Sequence, residues 1–139
     1  QFRISVAEST CGGYIGYLLT SLPGSGKYFD RSVVAYSNEA KRDLLGITDE
    51  DMSDGLVSQR MATAMAEKVR GHSDFAIAET GIAGPIQGRS RKPIGLAYVA
   101  IVSRDGRVMV HQCQFSGTRE DIRHKIADLA IHLAIQRIT

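Results

Sequence analysis

A serine, a lysine and two turns that join an apolar stretch to glycines are the places in this sequence where chemistry can be built. Ser9 and Thr10 stand between Phe2 to Ala7, which reads as a short strand, and Tyr14, Ile15, Tyr17, Leu18, Leu19 and Leu22, which recur at helical spacing. Gly12 and Gly13 follow. Serine and threonine are good helix N-caps, and glycine lets main chain approach a ligand closely. A helix start at this point would offer unpaired N–H groups and a positive dipole end to a phosphate, a carboxylate or a developing oxyanion. Ser9 would then be placed to attack, with the N–H groups of Gly12 and Gly13 receiving the oxyanion. The same residues are also ordinary capping and turn residues, and neither a P-loop nor a dinucleotide fingerprint is present.

Lys41 is the second candidate. Tyr36-Ser37-Asn38-Glu39-Ala40-Lys41 runs from a strand end into a short helix, with Ser37 or Asn38 as N-cap and Gly46 as the stop. A cation in the first helical turn is disfavoured by a few tenths to about 1 kcal/mol at an exposed site. Either Glu39 and solvent screen the charge, or the amine is required neutral, as a general base must be; burial and a helix N-terminus both favour that form. The second strand-to-glycine junction is Phe75–Glu79 running into Thr80-Gly81-Ile82-Ala83-Gly84-Pro85. In open α/β sheets ligands bind beyond the carboxyl ends of strands, so the two turns line one crevice if their strands run parallel. The loop that follows carries Arg89, Arg91 and Lys92, which suits an exposed segment near an anion, and Arg123 lies beside the apolar face of the last helix.

These residues must be positioned by elements that the periodicity outlines. Ser32 to Tyr36 reads as a strand. Ser58 opens a helix whose Val57, Met61, Met65 and Val69 form a packing stripe ended by Gly71. Ile94 to Val102 and Val108 to Phe115 flank an Asp-Gly hairpin turn, and Thr118 with Asp121 caps a last helix bearing Ile122, Ile126, Leu129 and Leu133. The order β-α-β-α-α-β-β-β-α predicts a three-layer α/β/α sandwich around a mixed, largely parallel sheet that includes an antiparallel hairpin.

With 43% hydrophobic and 23% charged residues in 139, the chain is expected to be a single domain, 1–139, large enough to close its own core. A net charge of +2 is too slight to imply nucleic acid or an acidic membrane surface as partner. Cys11 and Cys113 make no disulfide framework and, with histidines scattered at 72, 111, 124 and 132, no metal-ligand spacing; a reducing cytoplasm is the expected setting. There is no apolar run near the ~20 residues that a membrane helix requires and no signal peptide. Gln1 stands directly before a strand, so a preceding segment is expected.

Several separate motifs, in one order along the whole chain, now bear on function: A-E-S followed by Gly-Gly at 7 to 13, Y-S-N-E-A-K at 36 to 41, L-L-G at 44 to 46, T-G-I-A-G-P at 80 to 85, K-P-I-G at 92 to 95 and F-S-G-x-R at 115 to 119. By these the chain resembles the CinA C-terminal domain family, whose stand-alone members are nicotinamide-nucleotide amidohydrolases. The resemblance implies hydrolysis of the carboxamide of nicotinamide mononucleotide (NMN) to nicotinic acid mononucleotide and ammonia, in pyridine nucleotide recycling. It implies a Ser-Lys mechanism with neither metal nor cofactor, and a homodimer. Carried over by motif, Ser9 is the nucleophile, Lys41 the base and Tyr36 a group that holds or relays the proton. Glu8, Thr10, Gly12, Gly13, Asn38, Thr80, Gly81, Ile82, Ala83, Gly84 and Arg123 are the expected substrate contacts. Thr10-Cys11 reverses the Cys-Thr order usual in the family. Two alternatives stay open: a catalytically inactive nucleotide-binding or regulatory module, and a thiol nucleophile at Cys11.

Overall fold

The computed structural model describes residues 1–88 and 90–139, so Arg89 of the basic loop lies outside the described residues. Strand β1, Ile4–Glu8, is buried along its whole length and forms the middle of the site-bearing half of the sheet. It leads through the glycine turn into α1, Tyr14–Thr20, and a short 3-10 helix, Ser25–Lys27, before β2, Phe29–Val34. Next come α2, Asn38–Leu45, and α3, Gln59–Arg70, then β3, Phe75–Gly81. The chain closes with β4, Leu96–Ser103, β5, Val108–Gln114, and α4, Arg119–Ile138.

The sheet order is β2-β1-β3-β4-β5. Strands β2 and β3 both run parallel to β1, whereas β4 pairs antiparallel with β3 and with β5. The expected mixed sheet with an antiparallel hairpin is therefore observed, and the direction of β4 alone breaks the parallel run. Helices α1 and α4 cover one face, where Ile15, Ile122, Ile126 and Ala130 pack on Val6, Ile77 and Val99. On the other face Met61, Met65 and Val69 of α3 meet Ala7, Ala76, Ala78 and Ala100, which confirms the methionine stripe as packing. Small alanines on that face let α3 sit close to the strands.

The caps explain where the site elements start. Ser37 accepts from Ala40 N–H at 3.0 Å to begin α2, and Gly46, at φ 69°, ends it. At α4 the Thr118 hydroxyl and the Asp121 carboxylate exchange bonds with each other's main chain, a complete capping box. At α1 the expectation was wrong. Neither Ser9 nor Thr10 caps it; the helix starts four residues beyond Thr10, after Gly13 at φ 106°, and its open N–H groups are taken by Glu8.

Candidate active site

Because β1 and β3 run parallel with Ala7 opposite Ala78, the chain leaves both strands at the same edge of the sheet. The Ser9 turn and the Thr80–Gly84 turn thus form two walls of one cavity of about 450 Å³. The start of α2 adds Tyr36 and Lys41, the segment before α3 adds Leu56 and Val57, and Arg119 reaches in from the first residue of α4.

At the floor, Lys41 Nζ donates to Ser9 Oγ at 3.0 Å and to the main-chain oxygen of Tyr36 at 2.9 Å. Lys41 is only 2% exposed. Burial holds its pKa below the ordinary lysine value, with the charge of Glu79 opposing that fall. An amine in hydrogen-bond reach of a serine hydroxyl and biased toward its neutral form is what a lysine base requires.

The turn that carries Ser9 is held on every side. Glu79 accepts the N–H groups of Ser9, Thr10 and Cys11, while Arg123 donates to the carbonyl oxygens of Thr10 at 3.0 Å and Cys11 at 3.2 Å. The Thr10 hydroxyl donates to Gly81 O at 2.9 Å and ties the two turns together. Cys11, by contrast, is buried in the α4-side core, its thiol donating to Arg123 O. The exchanged Thr10-Cys11 order therefore puts the hydroxyl across the cleft and the thiol inside the protein. Burial first, and then the nearby carboxylates Glu79 and Glu8, push the Cys11 thiol far above the usual range, and it does not line the cavity. A thiol nucleophile at Cys11 is overturned on both counts.

Of the expected contacts, Thr10, Thr80, Gly81, Ile82, Ala83 and Gly84 line the cavity with Ser9, Lys41 and Tyr36. Others do not. Glu8 is fully buried and spends its oxygens on the N–H groups of Gly13, Ile15 and Gly16 and on the Ser32 hydroxyl, so it caps α1 instead of meeting substrate. Gly12 N–H bonds Ser9 O and Gly13 N–H bonds Glu8, which leaves neither to form an oxyanion hole. The close approach that Gly12 permits is to Arg123, since a Cβ there would lie 2.7 Å from Nη2. Arg123 itself is committed to the turn and does not line the cavity, and exposed Asn38 is also outside it. Tyr36 reaches Lys41 through its main chain; its phenol stands at the cavity mouth and accepts from Arg119 at 3.0 Å.

Arg119 and Glu79 were missed as site residues, and Lys92 was marked only as one of three charges in a basic loop. Arg119 donates to Gly84 O at 2.8 Å and to the Tyr36 phenol, and Lys92 Nζ donates to Asp54 O at 3.1 Å and to Val57 O. Arg119 was legible by the argument applied to Lys41, a cation in the first turn of a helix. The signal for Glu79 was an acid ending an otherwise apolar strand, the pattern that Glu8 repeats in β1. Among the described residues, no aspartate or glutamate lines the cavity, while Lys41, Lys92 and Arg119 do. Glu8, Cys11 and Glu79 lie close enough together to suggest a cation site. The donor set does not fit one, because both carboxylates are occupied by N–H donors and the thiol is held protonated.

The site is thus a buried serine–lysine pair at the carboxyl edge of two parallel strands in a mixed α/β sheet. The chain belongs to the CinA C-terminal domain family, whose model matches residues 1–138. A CinA-like protein of Endomicrobium trichonymphae is 42% identical over 138 residues, 97% of this chain but 32% of that protein. The chain thus spans about a third of the length of the CinA-like proteins it matches. The nicotinamide-nucleotide amidohydrolase PncC of Enterobacter agglomerans is 38% identical over 136 residues, 96% of this chain and 83% of that protein. The crystal structure of the competence/damage inducible protein CihA from Agrobacterium tumefaciens superposes with a TM-score of 0.93 at 38% identity, covering 99% of this chain and 86% of that one. A competence or damage-inducible protein from Enterobacter asburiae gives 0.94 at 28% identity, over 99% and 88% of the two chains. Among the described residues no helix is long and apolar enough to cross a membrane.

Proposed function

We propose that this chain is an NMN amidohydrolase in which Ser9 attacks the carboxamide carbon and Lys41 moves the protons. The observation that carries this reading is the 3.0 Å contact between the buried Lys41 amine and the Ser9 hydroxyl on the cavity floor. The 38% identity to a relative named as a nicotinamide-nucleotide amidohydrolase supports the substrate.

In this reading, neutral Lys41 takes the Ser9 proton as Oγ bonds to the carboxamide carbon, and the Tyr36 carbonyl oxygen keeps the amine aimed. The resulting oxyanion needs donors other than Gly12 and Gly13. Ala83 and Gly84 line the cavity and their N–H groups have no acceptor among the described residues, so we assign the oxyanion to this turn. Lys41 then returns its proton to the departing nitrogen, so ammonia leaves and a Ser9 ester remains. Water attacks that ester with Lys41 again as base, which releases the carboxylate and restores the serine. Arg119 and Lys92, with no acid beside them on the cavity wall, suit the nucleotide's phosphate, and Tyr36, Leu56 and Ile86 supply the apolar surface for the rest.

The deciding experiment measures ammonia and nicotinic acid mononucleotide formed from NMN by the purified protein and by Ser9→Ala. Release by the first and not by the second, with both folded by circular dichroism, is the expected result. Tight nucleotide binding without turnover would replace the enzyme reading with that of a binding module.

A further inference from the structure

Three consecutive main-chain N–H groups converge on one side chain beneath the nucleophile. Glu79 Oε2 accepts from Ser9 at 2.7 Å and from Cys11 at 2.9 Å, and Oε1 accepts from Thr10 at 3.2 Å. The reason is topological. The β1–β3 ladder ends at Ala7 and Ala78, so beyond it the main chain of the Ser9 turn has no strand to bond. Glu79, on the last part of β3, reaches across in place of a strand and is completely buried in doing so. Burying that carboxylate is costly, and a hydroxyl or amide would accept hydrogen bonds at less expense. Something about the site has to use the charge.

We propose that Glu79 is a positioning residue that fixes Ser9 against Lys41 and supplies the negative charge that stabilises the lysine ammonium formed when Ser9 gives up its proton. This rests on the Ser9–Lys41 reading of the site. The dyad asks for an amine that is neutral before attack and cationic after it. Burial alone makes the second state expensive, and in this site Glu79 opposes burial. The other charged groups around the carboxylate leave that task to it. Glu8, from β1, faces α1 and caps it; Arg123, from α4, grips the opposite side of the turn through its carbonyl oxygens; Cys11 is held as a thiol. Burial pushes the Glu79 carboxyl above the usual range, the N–H groups of Cys11 and Ser9 pull it back, and Glu8 adds to the rise.

The test compares wild type, Glu79→Gln and Glu79→Asp in two measurements across pH: kcat/KM on NMN, and trace acetylation of the Lys41 amine by acetic anhydride, read by mass spectrometry. In Glu79→Gln the acetylation midpoint and the acidic limb of kcat/KM should move down by about one unit or more, because the counter-charge is gone. kcat should fall about tenfold or more at little change in KM, since an amide brings one acceptor and its own N–H donors to a place where N–H groups converge. Glu79→Asp keeps the charge on a shorter arm, so kcat should fall while the midpoint stays near the wild-type pH. A midpoint unmoved in Glu79→Gln overturns the proposal, because a merely packed residue would lower kcat and Tm without shifting the lysine's titration. Should Glu79→Gln not fold, Glu79→Asp decides, and wild-type kcat in that protein is the contrary result. Turnover surviving in Ser9→Ala or Lys41→Arg would sink the dyad instead; the acetylation midpoint, which needs no turnover, still reports on Glu79.

Discussion

The Arg119 guanidinium meets the Tyr36 phenol at 3.0 Å across the cavity mouth, although 83 residues separate them in the chain. Arg119 also donates to Gly84 O, so one side chain touches the β2–α2 junction and the glycine turn while presenting its charge to the cavity. Both acceptors are neutral oxygens, which leaves the guanidinium available for an anion. Arg119→Ala should therefore lower kcat/KM for NMN by about 10- to 100-fold, the worth of a charge-assisted hydrogen bond, and much less for the riboside. Arg123→Ala should lower Tm and depress both substrates alike, since it holds the turn and not the ligand. Equal losses for nucleotide and riboside in Arg119→Ala would remove that residue from the phosphate's path.

Cys11 gives a cleaner separation of chemistry from packing. Its thiol is fully buried and strongly biased against ionisation, while Cys113 on β5 is half-buried and raised only to about 11, by burial. Native protein should react with a thiol reagent at Cys113 first and at Cys11 only on unfolding. Cys11→Ala should keep turnover, with a modest loss of Tm from the vacated core. Abolished turnover in a folded Cys11→Ala protein would reopen the thiol mechanism.

Most of this architecture could be read from periodicity and punctuation. Ser37, Ser58 and Thr118 cap the helices predicted from them, Gly46 and Gly71 end two of those helices, and the Asp105-Gly106 turn joins the antiparallel pair. Strand edges shifted because ladder pairing with a neighbouring strand, not hydrophobicity, decides them: β1 runs on into Glu8, opposite Val34, and β3 into Gly81, opposite Ala97, past residues that composition marks as polar turn. Burial hid half of the site. Glu8 and Arg123 were expected to meet substrate, yet each is turned inward to satisfy main-chain groups that the fold leaves open. Which charges face the cavity depends on the register of β1 with β3 and on how α4 packs across the sheet, and neither is encoded by local spacing. Arg119 was within reach of the dipole argument; Lys92 was marked with Arg89 and Arg91 as a basic loop near an anion, which did not single it out from its neighbours.

Lys41 should trade stability for activity. In the unfolded chain its amine keeps a proton up to the ordinary pKa of 10.5, whereas in the folded protein burial lowers that value. Between the lowered value and 10.5 the unfolded state binds the extra proton, so this residue's contribution to stability improves as pH rises through that window. Below it the full cost of the buried ammonium is present. Lys41→Met removes that cost. Tm should rise by roughly 3 °C near neutral pH for about 1 kcal/mol gained, and the advantage should narrow as pH approaches the lysine's ordinary pKa. Turnover should vanish in Lys41→Met and in Lys41→Arg, since guanidinium cannot serve as a base. Near-normal activity with arginine would make position 41 an electrostatic clamp.

The glycine of the K-P-I-G motif belongs to architecture, not chemistry, and a single methyl group tests this. Gly95 sits at φ 94°, donates its N–H to Ile82 O at 2.7 Å and accepts from Phe115 N–H at 2.9 Å, so it pins the end of β5 and the glycine turn to the start of β4. A Cβ on Gly95 would lie 1.8 Å from the Phe115 carbonyl oxygen and 3.0 Å from its carbon. Main chain cannot step aside as a flexible side chain does, and the positive φ adds its own strain. Gly95→Ala should therefore cost about 3 kcal/mol or more, at the severe end for a single substitution. The sharp contrast is with Gly106, at φ 89° in the hairpin turn, where a Cβ meets nothing within 4 Å. Gly106→Ala should lose only the backbone penalty of about 1 kcal/mol. Urea denaturation of the two variants would separate the accounts: equal losses would show that left-handed backbone alone, and not the contact with Phe115, requires glycine at position 95.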